Sequence, residues 1–312
     1  MVTKSFWNKS VRVALSLCFA ILFPIWCLGV EVGDTFEIDS GNFVPLFMTE
    51  GVNLKYDIGS HGNNCYDLDT VLPPETFVKV DSVSQDQDTV HVICKVSENC
   101  CFKGFVHKHF LEDCASSMAK SNFDAQSPKR DIMSVREICD ILDDCIEKNM
   151  PYSYGCNNFE ELQLAELYSF EGPSADCQPY HCVGFDCSGL LHYISSWTLP
   201  HSTKQLYNSP HGKCILSLDV DASDAELKKA LSVMKDTDYV VFIHDYQYTG
   251  GSGHVIVSLH GGFVEAVGQN VGIVFTPRDA ALKRLRKLLG AAHNNGAKDV
   301  KIIRWHPDLL TK

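Results

Sequence analysis

Along the first third of the chain, apolar and polar side chains alternate in short runs. "TFVKVDSV" (76–83), "TVHVICKV" (89–96) and "KGFVHKHFL" (103–111) each carry the period of a half-buried strand. The turn-forming stretches "IGSHGNN", "LPPE", "SQDQD" and "SENC" separate the runs. No long helical period interrupts residues 30–114, so this span predicts a small all-β barrel. The polar, Ser-rich "ASSMAKSNFDAQSPKR" (115–130) then reads as a linker.

From residue 131 the period changes. Ile132, Val135, Ile138, Leu142 and Ile146 fall at helical spacing, and Pro151 ends the run. A second helix is expected from about Asp186 to Trp197. A third follows in "SDAELKKALSVMK", where Ser223 precedes Glu226 by three residues as in a capping box. Strands follow in "YVVFIH", "HVIVSL", "GFVEAVG" and "GIVFTP", then a basic amphipathic helix over 278–293 and a last strand, "VKIIRWHP". Helices first and hairpin-linked strands afterwards predict an α+β domain over 131–312, with helices packed on an antiparallel sheet.

The 312 residues carry a formal net charge of −12. That balance argues against nucleic acid as a partner, since phosphate binding needs clustered Lys and Arg. Lys4, Lys9 and Arg12 precede the apolar "VALSLCFAILFPIWCLG", which Pro24 interrupts. The pattern is that of an export signal over 1–29, cleaved after Gly29, with no stable membrane insertion afterwards. Twelve of the 14 cysteines lie beyond it, which in an exported chain points to disulfides. "CQPYHC", with Cys177, His181 and Cys182, fits no standard zinc spacing. No metal or cofactor is expected, and the pattern fixes no oligomeric state.

One cysteine stands apart. In "GFDCSGLLHY" (184–193), Cys187 falls where a loop becomes an apolar helix. N–H groups at a helix start favour an anion, and such positions lower a thiol pKa from its free value of about 8.5. A cysteine hydrolase also needs an imidazole and a polar group to orient it. His254 follows "TGGSG" and opens an apolar strand, so it sits beside a loop on a rigid scaffold. His181 and His244 are rivals. Pairing "HVIVSL" with "GFVEAV" through the "HGG" turn sets 254 opposite 266, give or take one position, and brings Glu265 beside His254. Gln269 is a weaker substitute, and a solvent-facing Glu265 is the competing reading.

With those residues in place, a resemblance emerges. "MPYSYGC", "GFDCSGLLHYI", "LPHSTKQLYN", "MKDTDYVVFI", "GSGHVIVSL" and "GFVEAVGQNVGI" occur in the order seen in the papain-like, NlpC-type cell-wall cysteine peptidases. "GVNLKYDIGS", "VLPPETFVKVDSV" and "KGFVHKHFLE" resemble the bacterial SH3-type module, with Phe105 in place of its usual Trp. The resemblance implies a papain-like catalytic domain behind an SH3-like barrel, exported to the periplasm or cell envelope. It implies cleavage of peptidoglycan stem peptides at the γ-D-glutamyl–diaminopimelate bond. Cys187 would be the nucleophile, His254 the base and then the acid, and Glu265 the third residue, where the family usually has His, Asn or Gln. Tyr152 would border the cleft and help hold the oxyanion. Asp186 and Ser188 would bind the substrate's free amine; plain helix capping is the alternative, and the two roles are compatible. Tyr154, Cys156 and Ile256 depart from the family pattern, and Ile256 is expected to push strand and helix apart. The long segment between Gly155 and Gly184 would form a disulfide-tied lid. The competing readings are a wall-binding protein without activity and an amidase or acyltransferase on the same scaffold.

Overall fold

The computed structural model describes residues 30–47, 68–84, 89–98, 100–153, 155–163, 181–208, 210–244, 253–268 and 271–310. The expected export signal lies outside them. The N-terminal strands are β1 (Thr35–Ile38), β2 (Val44–Phe47), β3 (Leu68–Leu72), β4 (Phe77–Val83), β5 (Thr89–Ser97) and β6 (Cys100–His107). Helix α1 (Lys108–Cys114) and β7 (Ala115–Ser117) follow. The sheet runs β3-β2-β6-β5-β4-β1-β7 and is antiparallel throughout. Its buried positions are alternate residues such as Val78 and Val80, or Val90, Val92 and Cys94.

Three expectations need correcting here. No closed barrel forms among the described residues. Ala115–Ser117 pairs with β1, so the sheet is open with β3 and β7 at its two ends. "KHFL" does not continue the strand, because Phe110, Leu111 and Cys114 bury together only when the chain turns helical. The stretch read as a linker is tied down. It supplies β7 and α2 (Lys120–Ala125), and the Lys95 ammonium lies 4.7 Å from the centre of the buried Phe123 ring. Further along, Arg130 donates to the carbonyls of Val96 at 2.9 Å and Pro74 at 2.6 Å.

The second half begins with α3 (Val135–Glu147), which Ser134 and Glu137 open with the reciprocal bonds of a capping box. A two-stranded pair, β8 (Asn157–Gln163) and β9 (His181–Phe185), leads into α4 (Cys187–Ile194). Then come α5 (Thr203–Tyr207), β10 (Lys213–Asp219), α6 (Asp224–Val233), β11 (Tyr239–Ile243), β12 (Gly253–Leu259), β13 (Gly262–Ala266) and β14 (Ile273–Thr276). Helix α7 (Ala281–Asn294), β15 (Asp299–Arg304) and α8 (Pro307–Leu310) complete the chain. The sheet order is β10-β15-β11-β12-β13-β14, again antiparallel. Its edge strand β10, "KCILSLD", was not foreseen; most of its side chains stay partly exposed, so its apolar pattern is weak.

Helices cover both faces of this sheet. Tyr239, Val241, Val255, Val257 and Val264 pack with Ile138 and Leu142 of α3 and Leu190, Leu191 and Ile194 of α4. Val240, Phe242, Ile256 and Phe263 face Leu227 of α6 and Leu285, Leu288 and Leu289 of α7. Burial on both faces is why these strands read as continuous apolar runs. Ile256 therefore lies on the face away from α4, and the expected separation of β12 and the Cys187 helix does not arise.

The two halves touch through buried polar groups. Asn157 Nδ2 donates to Thr70 Oγ1 at 3.1 Å and to the Val71 carbonyl at 3.0 Å, and His201 Nδ1 lies 2.8 Å from Thr70 Oγ1. Among the described residues, no helix is long and apolar enough to cross a membrane.

Candidate active site

Helix α4 begins at the residue of interest. Asp186 is its N-cap, accepting from the Gly189 N–H at 2.7 Å, so Cys187 is the first helical residue. The same carboxylate accepts from the Gly155 N–H at 3.0 Å, the Ser188 hydroxyl at 3.0 Å and His201 Nε2 at 3.0 Å. Burial opposes the charge on Asp186, but His201 and the two backbone donors outweigh it and hold the carboxyl below its usual range. Gly189 makes this packing possible: a Cβ there would stand 2.2 Å from the Cys156 carbonyl oxygen and 2.9 Å from His201 Nε2.

Replacing His201 with Leu takes a hydrogen-bonded partner from a carboxylate that stays buried. The expected cost is about 3 kcal/mol at neutral pH, read as a fall in the urea midpoint. Because the folded state depresses the Asp186 pKa, its stabilisation exists above the ordinary carboxyl range and fades in acid. The gap between wild type and His201→Leu is therefore expected to shrink as the pH drops toward 3.

The imidazole comes from the sheet. His254 lies at the start of β12, opposite Phe242 of β11. The β12–β13 ladder pairs Val257 with Val264 and Ser258 with Phe263. Its register puts 254 across from 267, one step from the expected position and within the margin given above. Glu265 is 2% exposed, and its Oε2 accepts from His254 Nε2 at 3.0 Å. Cys187 lies beside the His254 side chain, near enough to favour its charged form. With Nε2 committed to Glu265, Nδ1 is the nitrogen that can share a proton with the sulfur.

Electrostatics reinforce the arrangement. Burial works against a charged His254, yet Cys187 and Glu265 prevail and raise its pKa to about 9. Burial likewise opposes the charge on Glu265, but Arg284 and then His254 bring its pKa down to about 2. Arg284, on α7, donates through Nε to Oε1 and through Nη2 to Oε2 of Glu265. Sequence reasoning missed this residue. The one available signal was the basic amphipathic helix that carries it.

The structure thus brings Cys187, His254 and Glu265 together. The rival His244 stacks on Phe242 with ring centres 5.5 Å apart and lies close enough to His254 for burial and that neighbour's charge to lower its pKa. The side chain of His181, and the whole of Gln269 and Cys177, lie outside the described residues. Tyr152 is half-buried, its backbone bridged to Phe185, two residues before Cys187. Asp186 and Ser188 are each 7% exposed and bond to one another. Asp186 caps the helix, and the Ser188 hydroxyl donates to that carboxylate.

Other cysteines differ in kind. Burial pushes Cys100 and Cys145 up to about 12 and Cys139 up to about 11, which makes them poor nucleophiles at neutral pH. Cys156 is disulfide-bonded, whereas Cys101 and Cys214 are free, exposed thiols. Among the described residues, no group of three or more His, Cys, Asp or Glu side chains is arranged to hold a metal ion.

No family model and no curated protein matches the chain in sequence. Solved structures do. An NlpC/P60 family protein from Bacillus cereus ATCC 10987 aligns with a TM-score of 0.45 at 12% identity, over 88% of this chain and 100% of that one. An NlpC/P60 endopeptidase from Photobacterium damselae subsp. piscicida aligns with a TM-score of 0.47 at 12% identity, over 96% of this chain and 79% of that one. The Pseudomonas avirulence protein AvrPphB aligns with a TM-score of 0.23 at 13% identity, over 38% and 66%. Likeness this distant assigns no family, so the chemistry has to be read from the site.

Proposed function

We propose that this chain is a cysteine peptidase that cuts the γ-D-glutamyl–diaminopimelate bond of peptidoglycan stem peptides. One arrangement carries the chemistry: Cys187, at a helix start, lies beside an imidazole that a buried carboxylate holds from behind. The substrate rests on the ordered sequence blocks around these residues. Export to the envelope, and a wall-directed role for the N-terminal sheet, belong to the same reading.

In the proposed cycle the Cys187 proton rests on His254, leaving a thiolate–imidazolium pair. The sulfur attacks the scissile carbonyl carbon, and the C=O electron pair moves onto oxygen. The backbone N–H of Cys187 stabilises that oxyanion, with Tyr152 at the cleft edge; one such donor is worth about 2.7–4 kcal/mol in the transition state. As the tetrahedral centre collapses, the C–N bond breaks and His254 gives its proton to the departing amine. Neutral His254 then takes a proton from water, whose oxygen attacks the thioester. The C=O bond re-forms as the C–S bond breaks, releasing the acid and restoring the Cys187 thiolate beside protonated His254. Glu265 stays ionised throughout and fixes the ring.

Digestion of defined muropeptides, read by mass spectrometry, tests the reaction. Products split between D-glutamate and diaminopimelate support it. Whole stems released from the sugar would replace it with an amidase. Intact muropeptides retained by the protein would replace it with a wall-binding module. A pH profile gives a second check. Because the leaving amine needs the imidazolium, kcat/KM is expected to fall as the pH rises through about 9, where His254 loses its proton.

A further inference from the structure

We propose that Arg284 is a positioning residue for the Cys187–His254 pair, gripping both oxygens of Glu265 so that the carboxylate meets His254 in one orientation and remains charged. The inference rests on the peptidase reading and adds a fourth residue, from a different element, to the same site.

The geometry is that of a fork. Arg284 uses Nε on one carboxylate oxygen and Nη2 on the other, while His254 Nε2 shares the second oxygen at 3.0 Å. Two parallel N–H donors fix the plane of a carboxylate, which a single imidazole does not. Glu265 has 2% of its side chain exposed and Arg284 has 20%, so water competes little for either. The charged groups around Glu265 are Arg284 of α7 and His254 of β12. Cys187 of α4 and His244, at the end of β11, act on it through His254.

The arrangement answers a problem that a buried glutamate creates. Facing an imidazole alone, such a carboxyl tends to take up a proton or to close into a private ion pair that ties up the ring's charge. A guanidinium on the same oxygen draws off part of the negative charge and prevents protonation. Glu265 can then act as a fixed acceptor for Nε2–H, the task a neutral amide would perform there. Lysine would preserve the charge but lose the fork.

The experiment uses the full chain with isotope-labelled histidine. The His254 resonance is titrated in wild type, Arg284→Met and Arg284→Lys, and kcat and KM are measured in parallel. In Arg284→Met, the acid inflection that Glu265 imposes on the His254 signal is expected to rise by about one unit or more as the carboxyl protonates more readily. Arg284→Lys should fall between Arg284→Met and wild type. The kcat is expected to drop at least about tenfold with little change in KM, since the contact serves the reacting groups rather than binding. In a Glu265→Gln background, adding Arg284→Met should cost less than about threefold, because the residue acts through that carboxylate.

An unchanged His254 titration would overturn the proposal. So would an equal loss of activity in the wild-type and Glu265→Gln backgrounds, which would make Arg284 a docking residue for α7. Should Arg284→Met fail to fold, Arg284→Lys provides the same two readouts, and the same results support or overturn the proposal. The titration needs no substrate, so its failure is distinct from failure of the peptidase reading, which Cys187→Ala tests.

Discussion

Cys187→Ala is expected to abolish muropeptide cleavage, with a loss of about 10⁴-fold or more in kcat. The variant removes the sulfur and little else. Ser188, Gly189 and the Asp186 cap keep the start of α4 in place, and Cys187 is only partly buried, so the urea midpoint should shift little. Turnover by stopped assay on purified stem peptides, with circular dichroism to confirm folding, is the measurement. Activity close to wild type in a folded Cys187→Ala protein would remove the covalent mechanism.

Glu265→Leu is expected to damage activity and stability together. Deleting the carboxylate frees the His254 ring to rotate and to choose the wrong tautomer, a fault that costs about 10⁴-fold in kcat when a triad carboxylate is neutralised. It also strands the Arg284 guanidinium, four-fifths covered, against an apolar side chain. Breaking one partner from a buried pair costs about 3–5 kcal/mol, visible in the urea midpoint at neutral pH. The pH dependence has a definite sign. Since the folded state depresses the Glu265 pKa to about 2, its contribution is present above the ordinary carboxyl value of 4.5 and is lost as pH falls from there toward 2. The wild-type advantage over Glu265→Leu should narrow over that window. Glu265→Gln retains an oxygen for Nε2–H and is expected to keep more activity than the leucine variant. Equal rates for leucine and wild type would show that His254 needs no third residue.

Much of the frame was legible because local rules govern it. The capping boxes at Ser134 and Ser223, the Cys187 helix and the strands around His254 all follow from spacing and residue type, and tertiary contacts reinforce rather than override them. The misreadings share a cause. "KHFL" alternates like a strand but turns helical because Phe110 and Leu111 find one core together. The 115–130 stretch looks like a linker until Lys79 and Lys95 close over Phe123 and β7 pairs with β1. Ile256 reads as a clash with the Cys187 helix because a single sequence does not say which face of a doubly covered strand meets which helix.

The sequence by itself determined which residues the peptidase reading uses: a cysteine at a helix start, a histidine opening a strand, and a carboxylate returned to it by a short hairpin. These are local or nearly local relations, set by helix capping and by a turn whose length fixes its register. Only the tertiary structure decided that Arg284 reaches Glu265 from α7, in the helix layer opposite α4, and that Thr70 of the N-terminal sheet reaches His201 behind Asp186. Contacts of that kind depend on how layers dock. Docking is set by the fit of whole faces, which no local pattern of apolar and polar positions records.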